Sequence, residues 1–75
     1  MTHMVRVVEP TKKDGDKLLC FAPVEAAAHI NARVAETQAW IMLDGVMHSE
    51  RRDITAADLQ NIAEVYLQPA LGGGV

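Results

Sequence analysis

Residues 23–36 read PVEAAAHINARVAE, and this stretch predicts the one long helix around which the chain is organised. Pro23 suits the first turn, where its missing N–H would have no intrahelical partner. Glu25 favours the positively polarised N-terminal end of a helix. Three apolar residues of the predicted helix, 24–36, recur at helical spacing: Ala27, Ile30 and Val34. This spacing predicts an apolar stripe that packs against a sheet.

Two apolar runs precede the helix and predict a β-hairpin. Residues 5–8 are mostly β-branched, residues 18–22 form the returning run, and a proline follows closely after each. This pattern is typical of strands, because proline cannot donate a ladder hydrogen bond. Asp14-Gly15 between the runs is a strong hairpin signal, since glycine accepts positive φ. Cys20, inside the second run, is interpreted as a small buried hydrophobic residue.

The segment after the helix predicts a strand followed by a tight turn. Residues 38–43 form a nearly continuous apolar run, which predicts the central strand of the sheet, buried on both faces. Asp44-Gly45 predicts the turn that follows. Three large side chains in or near this run belong either to the core, which is the default for an apolar run, or to an interface: Trp40, Met42 and Met47.

The region 55–68 predicts a short capped turn and a last strand. Thr55 and Asp58 resemble a capping box, in which each side chain accepts a hydrogen bond from the other residue's backbone N–H. We expect Asn61 to end this short helix or turn, because asparagine tolerates left-handed geometry. Residues 64–68 alternate polar and apolar side chains, as a strand with one buried face does.

The order of these elements predicts an α+β fold in a single domain over 1–71. We expect a mixed sheet of about four strands with one main helix packed on it. Because a helical crossover joins parallel neighbours, the first and last strands are expected side by side at the centre. Residues 72–75, GGGV, are expected to be a flexible tail. The small core leaves room for stabilisation by a partner or by a homodimer.

Composition argues against several classes of function. Ten acidic against seven basic residues give a net charge of −3, the wrong sign for a nucleic-acid binder. The single cysteine excludes an internal disulfide, and Cys20, His29 and His48 lack metal-ligand spacing. No apolar run reaches the ~18 residues of a membrane span and no leader opens the chain, which predicts a cytoplasmic protein. No nucleophile, base and orienting group can be assembled, so we expect no enzyme. His3 is given no function, because residues 1–4 resemble a cloning remnant.

Two segments in the second half of the chain resemble the ubiquitin-like β-grasp sulfur carriers. Residues 41–46, IMLDGV, are similar to that family's central strand and tight turn. Residues 59–73, LQNIAEVYLQPALGG, are similar to its closing segment, in which a polar turn and a strand lead to a proline-containing linker and Gly-Gly. The family includes the small subunit of molybdopterin synthase and the sulfur carrier of thiazole biosynthesis. The first half of the chain agrees with it in layout only.

The resemblance implies that the end of the chain is the reacting group. Gly73 and Gly74 would form the carrier terminus, approached through Pro69, Leu71 and Gly72. An ATP-dependent enzyme of the ubiquitin-activating type would adenylate the terminal carboxylate, and the thiocarboxylate made from it would donate sulfur to a sulfur-accepting enzyme subunit. The chain itself would bind no cofactor, since the partner uses the ATP. Consecutive glycines can extend through a narrow channel because they lack Cβ.

Two features depart from the family pattern. Val75 follows Gly74, so a peptidase would have to remove it before the glycine could react. Asn61 and Ile62 stand where an Asp-Gly-Asp turn is common in the family. The alternative hypothesis is a noncatalytic α+β interaction module, such as an accessory subunit or a phage-type assembly component. In that case the glycine-rich end is an ordinary frayed terminus.

Overall fold

A computed structural model of the chain describes residues 3–11, 15–48 and 52–68. This part of the chain forms five strands and two helices: β1 (Val5–Thr11), β2 (Gly15–Phe21), α1 (Pro23–Thr37), β3 (Trp40–Leu43), β4 (Val46–Met47), α2 (Ala56–Leu59) and β5 (Glu64–Gln68). The predicted approach and carrier residues lie outside the described residues: Pro69, Leu71, Gly72, Gly73 and Gly74.

Helix α1 confirms the sequence prediction and is one residue longer at each end. Pro23 occupies its first turn, after Ala22 in extended geometry. The helix ends at a left-handed residue, Gln38 (φ 61°), whose N–H donates to the carbonyl of Val34 at 2.8 Å. The predicted strand 38–43 therefore begins two residues late, because Gln38 closes the helix instead of opening β3.

The strands form one mixed sheet in the order β2-β1-β5-β3-β4. Strand β1 is antiparallel to β2 and parallel to β5, and β3 is antiparallel to both β5 and β4. The expected parallel pairing of the first and last strands is thus confirmed. The sheet has five strands where about four were expected, since the residues after the Asp44-Gly45 turn add the short strand β4.

Positive φ occurs at both predicted hairpins; the Asp44-Gly45 turn is described in full, whereas Asp14 of the Asp14-Gly15 turn lies outside the described residues. Gly15 begins β2 at φ +74°, and Asp44 and Gly45 have φ 48° and 85°. Positive φ at both central residues is the type I′ geometry, whose twist matches that of the strands. Leu43 and Val46 consequently pair directly across the turn.

Strand β1 continues past Val8 to Thr11, further than the sequence pattern predicted. The N–H of Arg6 donates to Ala63 in the segment leading into β5, so even-numbered residues of β1 direct their backbone groups toward β5. The pairing of β1 with β5 ends at Val8. The backbone of Pro10 faces the β5 side, where β1 no longer has a partner. The missing N–H of the proline therefore costs no hydrogen bond between strands, and β1 continues through it.

The core lies between α1 and one face of the sheet. The cluster of buried residues comprises Val5, Val7, Ala26, Ala27, Ile30, Ile41, Ile54, Leu59, Val65 and Leu67. Val34 packs against this cluster and is partly buried, which confirms the predicted helical stripe. The side chain of Asn31 joins α1 to the segment before α2: its Nδ2 donates to the carbonyl of Ile54 at 2.9 Å, and the N–H of Ile54 donates to its Oδ1 at 2.8 Å.

The second helix begins as predicted, but its end differs. Thr55 and Asp58 make both hydrogen bonds of a capping box. The helix ends after one turn with Gln60 in ordinary right-handed geometry, and Asn61 does not have positive φ. The expectation that Asn61 would supply a left-handed end is wrong, because 3₁₀-like hydrogen bonds close the turn, including one from the N–H of Ile62 to Leu59.

Candidate interaction surface on the open face of the sheet

One face of the sheet has no helix over it in the described part of the chain. Successive strand residues point to opposite faces, so α1 can cover only every second side chain. Ile41 is buried against α1, whereas its neighbours Trp40 and Met42 lie on the opposite side, which we call the open face. The prediction that residues 38–43 are buried on both faces is therefore wrong. β5 occupies the middle of the sheet, and β3 lies beside it, as β1 does on the other side.

The open face carries a row of apolar side chains that crosses all five strands. The strand register aligns, from one edge to the other, Leu18, Val8, Tyr66, Met42 and Met47. The two ends of this row, Leu18 and Met47, are 55% and 45% exposed. Val8, the second residue of the row, is buried even though α1 lies on the other side, since Leu18 on β2 and Tyr66 on β5 flank it. We refer to these five residues as the apolar row.

Trp40 extends the apolar row toward the end of β5. It pairs with Gln68 in the register and is 53% exposed, although the apolar run favoured a core position for it. A shallow cavity of about 310 Å³ lies beside the row, lined by Met42, Gly45, Glu64, Tyr66 and Gln68. Large aromatic and methionine side chains of this kind are enriched at protein–protein interfaces. The default core position is wrong for Trp40 and Met47, whose exposure is compatible with the interface alternative, and Met42 is half-buried on the open face.

The opposite end of the open face is polar and carries both signs of charge. Arg6 and Glu64 pair in the register, with a nitrogen-to-oxygen distance of 3.7 Å, and both are about half exposed. A second depression of about 500 Å³ lies there, lined by Met4, Arg6, Cys20, Ala63 and Glu64. Cys20 is exposed in this depression, so its interpretation as a buried residue is wrong. Its neighbours Leu19 and Phe21 point toward the helix instead.

The turn residue Asp44 holds the β3–β4 arm of the open face against β5. Its carboxylate accepts hydrogen bonds from the N–H of Ala63 at 3.2 Å and from the N–H of Glu64 at 2.9 Å. Its own N–H donates to the carbonyl of Glu64 at 2.9 Å. These bonds fix the start of β5 relative to the turn, and with it the spacing between Tyr66 and Met42.

The charged clusters away from the open face have structural partners. Arg33 on α1 donates from Nε to both oxygens of Glu9 at 3.0 and 3.1 Å and also contacts Glu36. The hydrogen bonds from Arg33 lower the pKa of Glu9 despite its partial burial. Arg52 donates to both oxygens of Asp58 and, with the N–H of Thr55, holds the pKa of that carboxyl well below its ordinary value.

Two of the three histidines have structural contacts among the described residues. His3, to which the sequence assigned no function, lies with Nε2 2.8 Å from the carbonyl of Ile62 and 3.2 Å from that of Leu59. These contacts tie the start of the chain to the turn before β5. His29 stacks on Phe21 at 4.9 Å between ring centroids, and His48 Nε2 is buried without a hydrogen-bond partner. The described residues contain no group of three His, Cys, Asp or Glu side chains able to hold a metal ion.

The open face was missed at the level of sequence, although a signal for it exists. A single long helix can cover one face of a sheet, so every second residue of the apolar run 40–43 had to point away from it. Trp40 and Met42 are two residues apart in that run and therefore point to the same face. The same holds for Leu18 and Cys20 in the second apolar run. The position of His3 has no comparable sequence signal, because its partners Leu59 and Ile62 are far away in the chain.

No protein-family model, curated protein or solved structure matches this chain. In the part of the chain that the structure describes, no helix has both the length and the apolar character needed to cross a membrane.

Proposed function

We propose that this protein is a β-grasp, ubiquitin-like sulfur carrier that works in the cytoplasm and is activated at its C-terminal glycine by an ATP-dependent enzyme. The strand order β2-β1-β5-β3-β4, with β1 parallel to β5 and a helix between the two halves, supports the β-grasp assignment. The sequence similarity at 41–46 and 59–73 supports the same assignment independently of the sheet. A carrier of this kind needs a docking surface and a reactive end, and it needs no catalytic side chains of its own.

The observation that carries the proposal is the position of Trp40 beside the end of β5. Gln68, the last residue of β5, pairs with Trp40, and Pro69 is the next residue in the chain. The predicted approach and terminus, up to Gly74, therefore begin beside the exposed aromatic end of the open face. An enzyme that binds Trp40 and the adjoining part of the apolar row, Met42 and Tyr66, would have the reactive end within a few residues of its docking site.

The proposed chemistry takes place at the terminal carboxylate. A carboxylate oxygen attacks the α-phosphorus of ATP, pyrophosphate leaves, and an acyl adenylate remains. Sulfide supplied through the enzyme attacks the acyl carbon, and AMP leaves with the electron pair of the broken C–O bond. The product is a thiocarboxylate, which a sulfur-accepting enzyme subunit consumes. Glycine at the reacting position leaves the carbonyl free of side-chain crowding.

Val75 requires one processing step in this proposal. While Val75 is attached, the carboxyl group of Gly74 is held in a peptide bond and cannot be adenylated, and a branched side chain follows the glycines. A peptidase that removes Val75 would expose Gly74. Activation is therefore expected for the chain that ends at Gly74 and not for the chain that ends at Val75.

The docking part of the proposal is tested by ATP–pyrophosphate exchange with activating enzymes of the molybdopterin and thiazole pathways. With the chain ending at Gly74, we expect Trp40→Ala to raise the apparent KM for the carrier by about tenfold or more, since aromatic anchors dominate interface energetics. Val24→Ala is the matched control, because Val24 is a 70% exposed apolar residue on α1. Exchange that responds equally to both substitutions, or no exchange at all, would contradict the proposal.

A noncatalytic interaction module is the second candidate. The exposed apolar row favours it, because such a surface can bind a partner protein without any reaction at the end of the chain. Such a module, an accessory subunit or an assembly component, would bind through the open face without reaction at its end. Deleting residues 72–75 separates the two candidates. The module keeps its partner binding and cellular function after this deletion, whereas the carrier loses its function.

A further inference from the structure

Strand β2 forms one edge of the sheet and has a strand neighbour on only one side among the described residues. It runs for seven residues and pairs with β1 along its whole length, whereas the opposite edge, β4, has two residues. Natural edge strands are commonly shortened, bulged, charged or interrupted by proline to prevent pairing with another chain. β2 is regular, contains no proline and carries its two charged residues, Asp16 and Lys17, in its first half, so its outer edge is a template for a further strand.

The backbone groups on that outer edge can be assigned from the hydrogen bonds of β1. Because the N–H of Arg6 points toward β5, the odd-numbered residues of β1 bond to β2. Val7 faces Leu19 in this ladder, so the odd-numbered residues of β2 are the ones bonded to β1. The N–H and C=O groups of the remaining residues therefore point outward: Asp16, Leu18 and Cys20.

We propose that a second copy of this chain pairs with β2 through its own β2, antiparallel and about a two-fold axis at Leu18. In this register Leu18 lies opposite Leu18 of the second copy, and Asp16 lies opposite Cys20 of the second copy. Each of these positions is a hydrogen-bonded pair that exchanges two N–H···O bonds. All three outward residues of both copies are then paired, and the two sheets become one continuous sheet with both α1 helices on the same side.

The side chains of the open face match this arrangement in polarity. The apolar row ends at Leu18, and in the pair it continues into Leu18 and Val8 of the second copy. Arg6 lies next to Cys20 on β1, and Asp16 of the second copy lies on the other side of Cys20. Two strand spacings put the Cα atoms of Arg6 and that Asp16 about 10 Å apart. The exposed guanidinium of Arg6 can span this distance, and the symmetry makes the ion pair twice.

Neighbouring registers are less favourable for the same residues. An axis at Lys17 would place Lys17 directly opposite Lys17 of the second copy, where like charges repel. An axis at Leu19 would leave the outward groups of Asp16 beyond the end of the second β2. The axis at Leu18 avoids both problems because Leu18 is the middle residue of Gly15–Phe21.

The pairing is tested by sedimentation of the full chain from about micromolar to millimolar concentration. We expect a dimer whose dissociation constant rises by about tenfold or more in Leu18→Lys, which sets two ammonium groups at the axis. Met47→Lys, the same change at the other end of the apolar row, should leave the dimer intact. Both sites are about half exposed or more, so both variants should fold.

Amide hydrogen exchange identifies the edge directly. The amides of Asp16, Leu18 and Cys20 should become protected as the concentration rises, whereas those of Lys17 and Leu19 should be protected at every concentration. A monomer throughout, a dimer that survives Leu18→Lys, or a dimer broken equally by Met47→Lys would overturn the proposal. Protection of all five amides in the dilute chain would also overturn it, because the edge would then be covered within one chain. Deleting 72–75 should not affect the dimer, which separates this inference from the proposed sulfur chemistry.

Discussion

At the scale of single residues, Asp44 contributes most to the geometry of the candidate surface. Its positive φ makes the β3–β4 turn, and its carboxylate accepts hydrogen bonds from Ala63 and Glu64 at the start of β5. Aspartate is suited to both tasks, since it tolerates left-handed geometry and presents two acceptor oxygens. One side chain thus connects a local turn to a strand that lies far away in the sequence.

Replacing Asp44 tests this connection. We expect Asp44→Ala to lower the free energy of unfolding by about 1–2 kcal/mol, because backbone donors at the start of β5 lose their acceptor and alanine is strained at positive φ. Asp44→Asn keeps an acceptor oxygen and the turn preference, so its loss should be smaller. Asp53→Ala removes an exposed carboxylate and serves as the control. Urea unfolding measures all three, and equal losses for Asp44→Ala and Asp53→Ala would contradict the assignment.

Residue identity predicted the turns well and the exposed surface poorly. Gly15, Gly45 and Pro23 have backbone constraints that act locally, so their roles follow from the sequence alone. The exposure of Trp40 depends instead on which sheet face α1 covers. That choice is made by packing between distant segments, and a continuous apolar run conceals it.

At the scale of elements, α1 is held on the sheet by an ion pair as well as by its apolar stripe. Glu9 on β1 is mostly buried beneath Arg33, which also pairs with the exposed Glu36. The hydrogen bonds from Arg33 lower the pKa of Glu9 below its ordinary value of 4.5. Because the folded-state pKa is the lower one, the ionised carboxylate stabilises the fold above pH 4.5, and this contribution is lost as the pH falls through the folded-state pKa.

The ion pair predicts a pH-dependent effect of Glu9→Gln. At pH 7 we expect the variant to melt about 4 °C or more below the parent chain. The difference should shrink as the pH falls below 4.5, since the parent then loses the same charge. Glu36→Gln removes the exposed partner of the same arginine and should cost less. Thermal melts at several pH values measure these shifts, and a Glu9→Gln difference that stays constant into acid would count against the ion pair.

The boundaries of elements were predictable where a local signal sets them. Thr55 and Asp58 marked the start of α2 correctly, because the capping box involves only neighbouring residues. The end of α1 at Gln38 carries no such signal, since glutamine is an uncommon left-handed cap. The extension of β1 through Pro10 could not be predicted without the strand pairing of the sheet. Only the pairing shows that β5 ends before Pro10, so that the missing N–H of the proline costs no hydrogen bond.

At the scale of the whole molecule, the topology joins the two ends of the described chain. β5 is the middle strand of the sheet and β1 is its parallel neighbour, so the first and last strands depend on the same packing. The crossover rule predicted this pairing from the order of elements. The crossover rule could not predict that β3 and β4 would add to the sheet on the other side of β5, or that Trp40 at the start of β3 would be exposed.

The two proposed surfaces occupy different parts of this molecule. The outer edge of β2 takes a second copy, while Trp40 lies on β3, beyond β1 and β5, and pairs with Gln68, the last residue of β5. A dimer formed through β2 would therefore carry two Trp40 surfaces, each free for an activating enzyme. Dimerisation and activation are expected to be independent.

The most direct test of the proposed function is the intact mass of the chain after incubation with ATP, sulfide and each activating enzyme in turn. The chain that ends at Gly74 is expected to gain the mass that results when one sulfur replaces one oxygen, and the chain that ends at Val75 is expected to remain unchanged. If neither chain changes in mass, and no adenylate, thiocarboxylate or thioester forms at either terminus, the result would contradict the assignment of this protein as a sulfur carrier.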